Sequence, residues 1–535
     1  LSRLRVVSYA INGRGMGHLV RQLALLRWIK RLAAVLERRV ELWILTSSEA
    51  DTLARREGIP ALKMPSKAML RDAGIEPARV LRVARGWVLQ TVAGLAPDLL
   101  LVDTFPGGSF GELVPVLELA ERRVLIARKV RERVANDAAY AALLPLYDAA
   151  LAPEETGHPV IIRERAELMG RDDARRALGI PEGRRAVYVT LGGGGDVAAA
   201  SLLPMLIEQL SDWHVVVGAG PLYDGPEVRG PGITWIDRYV PIELFPGLDA
   251  AVSAGGYNSF HELMFAGVPA VFLPQPRISD DQSARVQRAV DAGAGLLAAH
   301  PGQVAVLLEQ LPLGADQAAR DLVPHNGARH LAARVLGVAG WPQEDLDQAL
   351  GVLDDTVLRF LHAAGTAQHA QALSLIRLLA GPSPTRRRQD RARLLQLADA
   401  TGVQIPASTP GGPAGERVRA FLALTQATAV PLDMALSLTQ GLARKFPLAT
   451  PDDLVAACTV LFPVWAGFAD WMGALSLLRA IPTQRTYAIA DFARDTALWL
   501  QGHDDLFDAL REFSRLEGKG STPVAGVLRQ LLDAP

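Results

Sequence analysis

The stretch Ser253-Ala-Gly-Gly-Tyr-Asn-Ser-Phe-His-Glu262 decides how this chain folds. It follows a short apolar run at 250–252 and opens a segment with helical spacing. Two glycines at a strand-to-helix turn let backbone approach a ligand, and the N–H groups of the first helical turn then point at it, which makes an anion seat. Glu262, two turns in, is placed to accept hydrogen bonds from paired hydroxyls such as those of a ribose, by the logic of dinucleotide-binding folds. A second turn of this kind, Gly13-Arg14-Gly15-Met16-Gly17-His18, follows the first apolar run of the chain and also opens a helix. Two such strand-turn-helix units in separate halves predict two Rossmann-like domains facing a cleft.

Working outward, apolar runs at 4–10, 40–45, 99–103, 124–127 and 149–151 alternate with amphipathic helices. That alternation predicts a parallel sheet covered on both faces. The pattern restarts at 186–191, 213–217, 233–236, 250–253 and 270–273, so a second α/β domain begins there. Near Val338 the strands stop, and Gly340-Trp341-Pro342 punctuates the change. Beyond it the spacing is helical, at 346–363, 416–428, 472–480 and 504–516, with a polar Pro/Gly/Ser/Thr break at 404–415. The expected architecture is α/β, two Rossmann-like domains at 1–155 and 156–337 plus an all-α C-terminal region at 338–535, divided at 404–415.

Composition narrows the function. A chain of 535 residues exceeds one hydrophobic core. The net charge of −1 argues against a dedicated nucleic-acid binder. One cysteine, Cys458, excludes an internal disulfide and fits a reducing compartment, and the residue itself reads as a small buried hydrophobe. Arg3 and Arg5 precede only a short apolar run, which reads as a strand rather than a signal peptide, and no apolar stretch nears the ~18 residues that span a bilayer. The expectation is a cytoplasmic protein, peripheral at most to the inner face of the plasma membrane.

Two further segments carry polar chemistry. Leu191-Gly192-Gly193-Gly194-Gly195-Asp196 lies between a strand and a helix expected near Val197, a turn that lets backbone approach phosphate. Downstream, Pro274-Gln275-Pro276-Arg277 leads to Asp280-Asp281-Gln282, beyond the carboxyl end of a buried strand, where open α/β sheets bind ligands. Asp281 and Gln282 suit sugar hydroxyls, or serve as an N-cap and a first-turn polar residue.

The segment Ser253-x-Gly-Gly-Tyr-Asn-Ser-x-x-Glu262, with Ala266-Gly267-Val268-Pro269 and Asp281-Gln282, resembles the donor-site motif of GT-B glycosyltransferases, in the group containing the GlcNAc transferase of peptidoglycan lipid-intermediate synthesis. Gly13 to His18 resembles that group's N-terminal glycine loop and histidine. Val102-Asp103-Thr104-Phe105-Pro106-Gly107-Gly108-Ser109-Phe110-Gly111-Glu112-Leu113 is closer still to bacterial "predicted glycosyltransferases". The likeness covers residues 4–337. It implies Glu262 on the ribose, Gly255, Gly256, Asn258 and Ser259 at the diphosphate, Asp281 and Gln282 on the donor sugar, and Tyr239 and Val240 at the base. The sequence departs at Ala254, where the peptidoglycan enzymes carry arginine.

His18 closes the first glycine loop at a helix start, whose positive end disfavours imidazolium and leaves a ring fit to take a proton from an acceptor hydroxyl. Asp103, at a strand's carboxyl end, is the rival base or the partner of His18. Arg128, with Gly15 and Gly17, suits an anionic acceptor or the diphosphate, and Gly192 to Gly195 the departing nucleotide. His261 should be structural. No His/Cys cluster has metal-ligand spacing, and the lone Asp-x-Asp, Asp345 to Asp347, suits a helix's first turn.

A basic amphipathic stretch, Arg21, Arg27, Lys30, Arg31, Arg38 and Arg39 with Leu23, Leu26 and Trp28, offers a membrane surface or the solvated face of a Rossmann helix. The run Arg386 to Arg388 with Arg391 and Arg393 offers a phosphate-binding patch or, next to Pro382 and Pro384, a solvated helix start, which is the preferred reading. The implied function is inverting, metal- and cofactor-independent transfer of a hexosyl or N-acetylhexosaminyl group from a UDP-sugar to an acceptor hydroxyl of a lipid-linked, glycan or small molecule. A nucleotide-sugar 2-epimerase and a non-catalytic sugar-nucleotide sensor, whose helical region binds a protein partner, are the alternatives.

Overall fold

The computed structural model describes residues 3–501 apart from 13–14, 129–137, 154–156, 193–196, 221–222, 237–239, 276–281, 312–315, 364, 383–384, 386–387, 390–413, 468–473, 476–477, 480–482 and 484–487. The chain divides into two compact units. One comprises Leu1–Ala33 and Arg38–Trp341, the other Ala34–Glu37 and Pro342–Pro535.

The first unit holds two six-stranded sheets, and every pairing in them is parallel. The strands of the first are β1 (Leu4–Ala10), β2 (Val40–Thr46), β3 (Ala61–Lys63), β4 (Leu99–Asp103), β5 (Arg122–Ile126) and β6 (Ala149–Leu151), in the order β3-β2-β1-β4-β5-β6. The second contains β7 (Ala186–Thr190), β8 (His214–Val217), β9 (Ile233–Trp235), β10 (Ala250–Ser253), β11 (Ala270–Phe272) and β12 (Gly295–Leu297), in the order β12-β11-β10-β7-β8-β9. Both are the doubly wound Rossmann order. The chain reverses direction across the sheet between β1 and β4 in one and between β7 and β10 in the other, and ligands bind at the carboxyl ends of such strand pairs.

The central strands read as unbroken apolar runs because helices cover both of their faces. All five residues of β4 and of β7 are buried, including the aspartate that ends β4. Strands β3 and β12 are absent from the sequence reading. Each is three residues long at a sheet edge, too short to show a period.

Helix α1 (Gly17–Val35) corrects the reading of its basic stretch. Arg21 and Arg31 are buried, as are Leu23, Leu26 and Trp28, so these residues form neither a membrane face nor a solvated one. Arg21, Arg27 and Arg31 are consumed in ion pairs, while Lys30 and Arg39 are exposed. Arg27 bridges Glu57 and Glu167, Arg31 meets Glu167 at 2.5 Å, and Arg163 joins Glu57 at 2.8 Å and Glu243 at 2.6 Å. Trp28 Nε1 donates to Glu164 at 2.9 Å, as does Asn326 Nδ2 at 2.8 Å. This network ties α1 to the segment at 160–167 that leads into the second sheet.

The second unit is helical among its described residues. The periodic stretch 346–363 is two helices, Gln343–Val352 and Asp355–Ala363, because Asp354 accepts the N–H groups of Thr356 and Val357 and starts a new helix. Asp345 accepts from Thr385 N and Asp347 from Gln343 Nε2, separate hydrogen bonds that account for the Asp-x-Asp. Cys458 is buried 3.6 Å from Thr439 Oγ1, and burial pushes its thiol up to about 12. Arg386, Arg387, Arg391, Arg393 and the stretch 504–516 lie outside the described residues, as do 404–413 and most of 472–480. Among the described residues no helix is long and apolar enough to cross a membrane.

Candidate active site

In each sheet a glycine turn sits where the topology reverses. After β1 the chain turns into α1, and Asn12 Oδ1 accepts Leu19 N at 3.1 Å, pinning the helix start to the strand end. Gly15 O accepts from Ser48 Oγ at 3.2 Å. His18 is the second residue of α1, and its Nδ1 meets Asp103 Oδ2 at the end of β4. The sequence left Asp103 as rival base or partner; the structure brings the two side chains together.

Asp103 is held by more than the histidine. Arg21 donates Nε to Oδ1 at 2.8 Å and Nη2 to Oδ2 at 2.6 Å, and Gln22 Nε2 approaches Oδ1 at 3.4 Å. Burial pushes the Asp103 carboxyl up, but Arg21 and His18 outweigh it and hold it well below the usual carboxylate range. An ionised carboxylate only accepts, so His18 Nδ1 carries the proton it shares with Asp103 and Nε2 carries the lone pair. Burial draws the His18 imidazole below its ordinary value; Asp103 opposes this, while Arg21 and Arg128 reinforce it. The ring is neutral near pH 7, with burial rather than the helix end as the leading cause.

Thr104, the next residue, adopts φ +62°, costly for a β-branched side chain. Its N–H bonds to Ile126 O at 2.9 Å, and its hydroxyl accepts from Arg21 at 3.2 Å. The rest of that motif is architectural. Glu112 accepts from the N–H groups of Ser109 and Phe110 and from the Tyr9 hydroxyl, and a Cβ at Gly108 would meet its carboxylate at 2.5 Å. Phe105 brings its ring 5.7 Å from that of His18.

On the second sheet, Gly192 follows β7 with φ +110°, and a Cβ there would meet nothing within 4 Å. Gly193, Gly194 and Gly195 lie outside the described residues, as do Tyr239 and Asp281. Gly255, after β10, has φ +73°, and a Cβ there would strike Val286 at 2.6 Å. Its N–H donates to Ser253 Oγ and its carbonyl accepts from Arg285 Nη1. Both backbone groups of Gly255 are thus engaged, and it shapes the turn rather than offering its N–H to a ligand. Gly256 then caps helix α2 (Tyr257–Ala266), whose first turn contains Asn258 and Ser259. Gln282 opens α3 (Gln282–Asp291) and accepts Gln275 N through Oε1 at 2.9 Å. Val240 is half-buried and precedes a short helical turn at Pro241–Gly247.

Glu262 lies in α2, 7% exposed, and burial raises its carboxyl to about 7 against the pull of Arg163. His261 faces inward, its Nδ1 2.8 Å from Tyr257 O and its ring edge-on to Phe260. Burial, then Arg285, Arg288 and Arg128, keep it neutral.

The two turns meet. Asn258 Nδ2 donates to Gly17 O at 3.4 Å, and Tyr257 carries three guanidinium groups around its ring: Arg21 at 4.9 Å, Arg285 at 5.6 Å and Arg128 at 5.7 Å. Sequence reading named neither Tyr257 nor Arg21 as site residues. Arg21 sits one helical turn after His18, so the i, i+3 spacing was the available signal. Among the described residues no group of three or more His, Cys, Asp or Glu is placed to hold a metal ion.

No family model matches the chain. Two glycine-turned Rossmann sheets with their switch points brought together make the architecture of the GT-B glycosyltransferases, and the chain's curated homologues are glycosyltransferases. One is the UDP-N-acetylglucosamine--N-acetylmuramyl-(pentapeptide) pyrophosphoryl-undecaprenol N-acetylglucosamine transferase of Clavibacter michiganensis subsp. michiganensis, 28% identical over 291 residues, covering 44% of this chain and 76% of that protein. An uncharacterized glycosyltransferase of Methanopyrus kandleri is 27% identical over 158 residues, covering 28% and 45%. Among solved structures, Acinetobacter baumannii MurG is 17% identical with a TM-score of 0.39, covering 62% of this chain and 99% of that one.

Proposed function

We propose that this chain moves a hexosyl or N-acetylhexosaminyl group from a UDP-sugar to an acceptor hydroxyl in one inverting step, with His18 as general base. The acceptor is assigned to the domain at 1–155 and the donor to that at 156–337. His18 Nε2 takes the acceptor proton as the acceptor oxygen bonds to the anomeric carbon. The bond from that carbon to the diphosphate breaks, and the nucleoside diphosphate leaves with the electron pair. Asp103 holds the ring through Nδ1 and steadies the imidazolium that forms.

The observation that carries this reading is the His18–Asp103 pair at one switch point beside the N-terminus of α2 at the other. Oriented N–H groups at that helix start, among Gly256, Asn258 and Ser259, suit the charge on the leaving diphosphate. Gln282, with Asp281, is assigned to the sugar, Glu262 to the ribose, Tyr239 and Val240 to the base, and the Gly192 to Gly195 turn to the phosphates. Arg128, Gly15 and Gly17 are assigned to the acceptor side. The Clavibacter relative, named for a pyrophosphoryl-undecaprenol acceptor, supports a lipid-linked acceptor.

Radiolabelled UDP-GlcNAc with bacterial lipid extract tests the proposal. Labelled glycolipid should form in EDTA, and His18→Ala should lower turnover ~10²–10⁴-fold with little change in donor affinity. Loss of transfer in EDTA restored by Mn²⁺ would refute metal independence. A C2 epimer of the donor without acceptor would establish the epimerase, and donor binding with no turnover across lipid, glycan and small-molecule acceptors the sensor.

A further inference from the structure

Arg21 is 1% exposed and contacts Asp103, His18, Thr104 and Tyr257. Both oxygens of Asp103 accept from it, a planar two-point grip that sets the plane of the carboxylate as no ammonium can. Its Nη2 and His18 Nδ1 share Oδ2 as acceptor, which leaves the two nitrogens 3.2 Å apart. Its guanidinium face lies 4.9 Å from the ring of Tyr257, first residue of the donor-side helix.

A buried carboxylate beside an imidazole has two unproductive resolutions. It takes a proton itself, or it draws one onto the ring and leaves no base. A cation bound to the far side of the same carboxylate blocks both. It keeps the carboxylate ionised, and it penalises a second positive charge on the ring beside it.

We propose that Arg21 is the positioning residue that holds Asp103 ionised and in plane while keeping His18 unprotonated, and that its stacking on Tyr257 joins this pair to the donor helix. The inference rests on the reading of His18 as base. The charged groups facing His18 are Asp103 from β4, Arg21 from α1 and Arg128 following β5. Of these only Arg21 grips the carboxylate at both oxygens.

The test is a ¹⁵N NMR titration of the histidine side chains in the full chain, with His18 assigned by comparison with His18→Gln. In the unmodified protein the His18 resonances should show the Nδ1–H tautomer and a midpoint below that of ordinary histidine. Arg21→Gln should raise that midpoint by about one pH unit, a tenfold change in protonation, and Asp103→Asn in the same chain should cancel the rise. Arg21→Lys, which keeps the charge, should leave the midpoint within about half a unit of the unmodified chain. An unmoved midpoint in Arg21→Gln overturns the proposal. A midpoint at the ordinary histidine value that Asp103→Asn does not alter also overturns it, since that is local loosening. The titration needs no turnover, so a failed base assignment appears separately, as undiminished transfer by His18→Ala.

Discussion

Donor affinity should depend on pH through Glu262. The carboxyl is 7% exposed in α2, and burial raises it to about 7 without ligand. A carboxylate that receives two ribose hydroxyls must be ionised, so binding favours the deprotonated form. With a midpoint near 7, about nine-tenths is ionised at pH 8 and about one-tenth at pH 6. The affinity should therefore fall about tenfold between those values, ~1.4 kcal/mol. Glu262→Gln should cost ~1.5–3 kcal/mol at pH 8, the range for a hydrogen bond to a charged group, and should abolish the pH slope. Isothermal calorimetry with UDP-GlcNAc suits the test, because its diphosphate is esterified at both ends and keeps its charge over this range. The lowered His18 ring stays neutral across most of that window. Affinity that is flat from pH 6 to 8, or a slope that survives in Glu262→Gln, would refute the ribose assignment.

The ion network around α1 yields two stability predictions. Glu167 is 1% exposed and accepts from Arg27 and Arg31; those charges hold its carboxyl far below the usual range against the push of burial. Glu167→Gln should cost ~3–5 kcal/mol in urea unfolding at pH 7, because it leaves the buried Arg31 guanidinium uncompensated and Arg27 with Glu57 alone. A loss under ~1 kcal/mol would show the pairs contribute no more than surface ones. Glu164, raised to about 7 by burial and by Glu167, behaves in the opposite sense. It binds its proton more tightly folded than unfolded, so its contribution is complete below about pH 4 and is lost as pH rises through about 7. The unmodified chain should lose ~3 kcal/mol relative to Glu164→Gln over that interval. Parallel stability curves for the two proteins would contradict the assignment.

Local pattern reached a long way into this protein. The apolar runs that became β1, β4, β7 and β10, and the glycine turns after β1, β7 and β10, were legible because each depends on residues adjacent in the chain. Buried parallel strands must be apolar throughout, and positive φ at Gly192 and Gly255 admits little but glycine. His18 and Asp103 were legible as separate ends of strand-linked turns.

What tertiary structure alone decided concerns residues distant in sequence. The basic face of α1 looked solvated because its counter-charges, Glu57 and Glu167, lie up to 140 residues away. The same distance hid the grip of Arg21 on Asp103, 82 residues on, and the seat of its guanidinium on Tyr257. Gly255 looked like an open phosphate donor until Ser253 and Arg285 were seen to occupy its backbone groups. Periodicity reports which side of an element is apolar, but the partner of a buried charge is set by how sheets stack and helices cross. The sequence thus determined the two Rossmann sheets and the turns at their switch points, and packing determined which charges meet there.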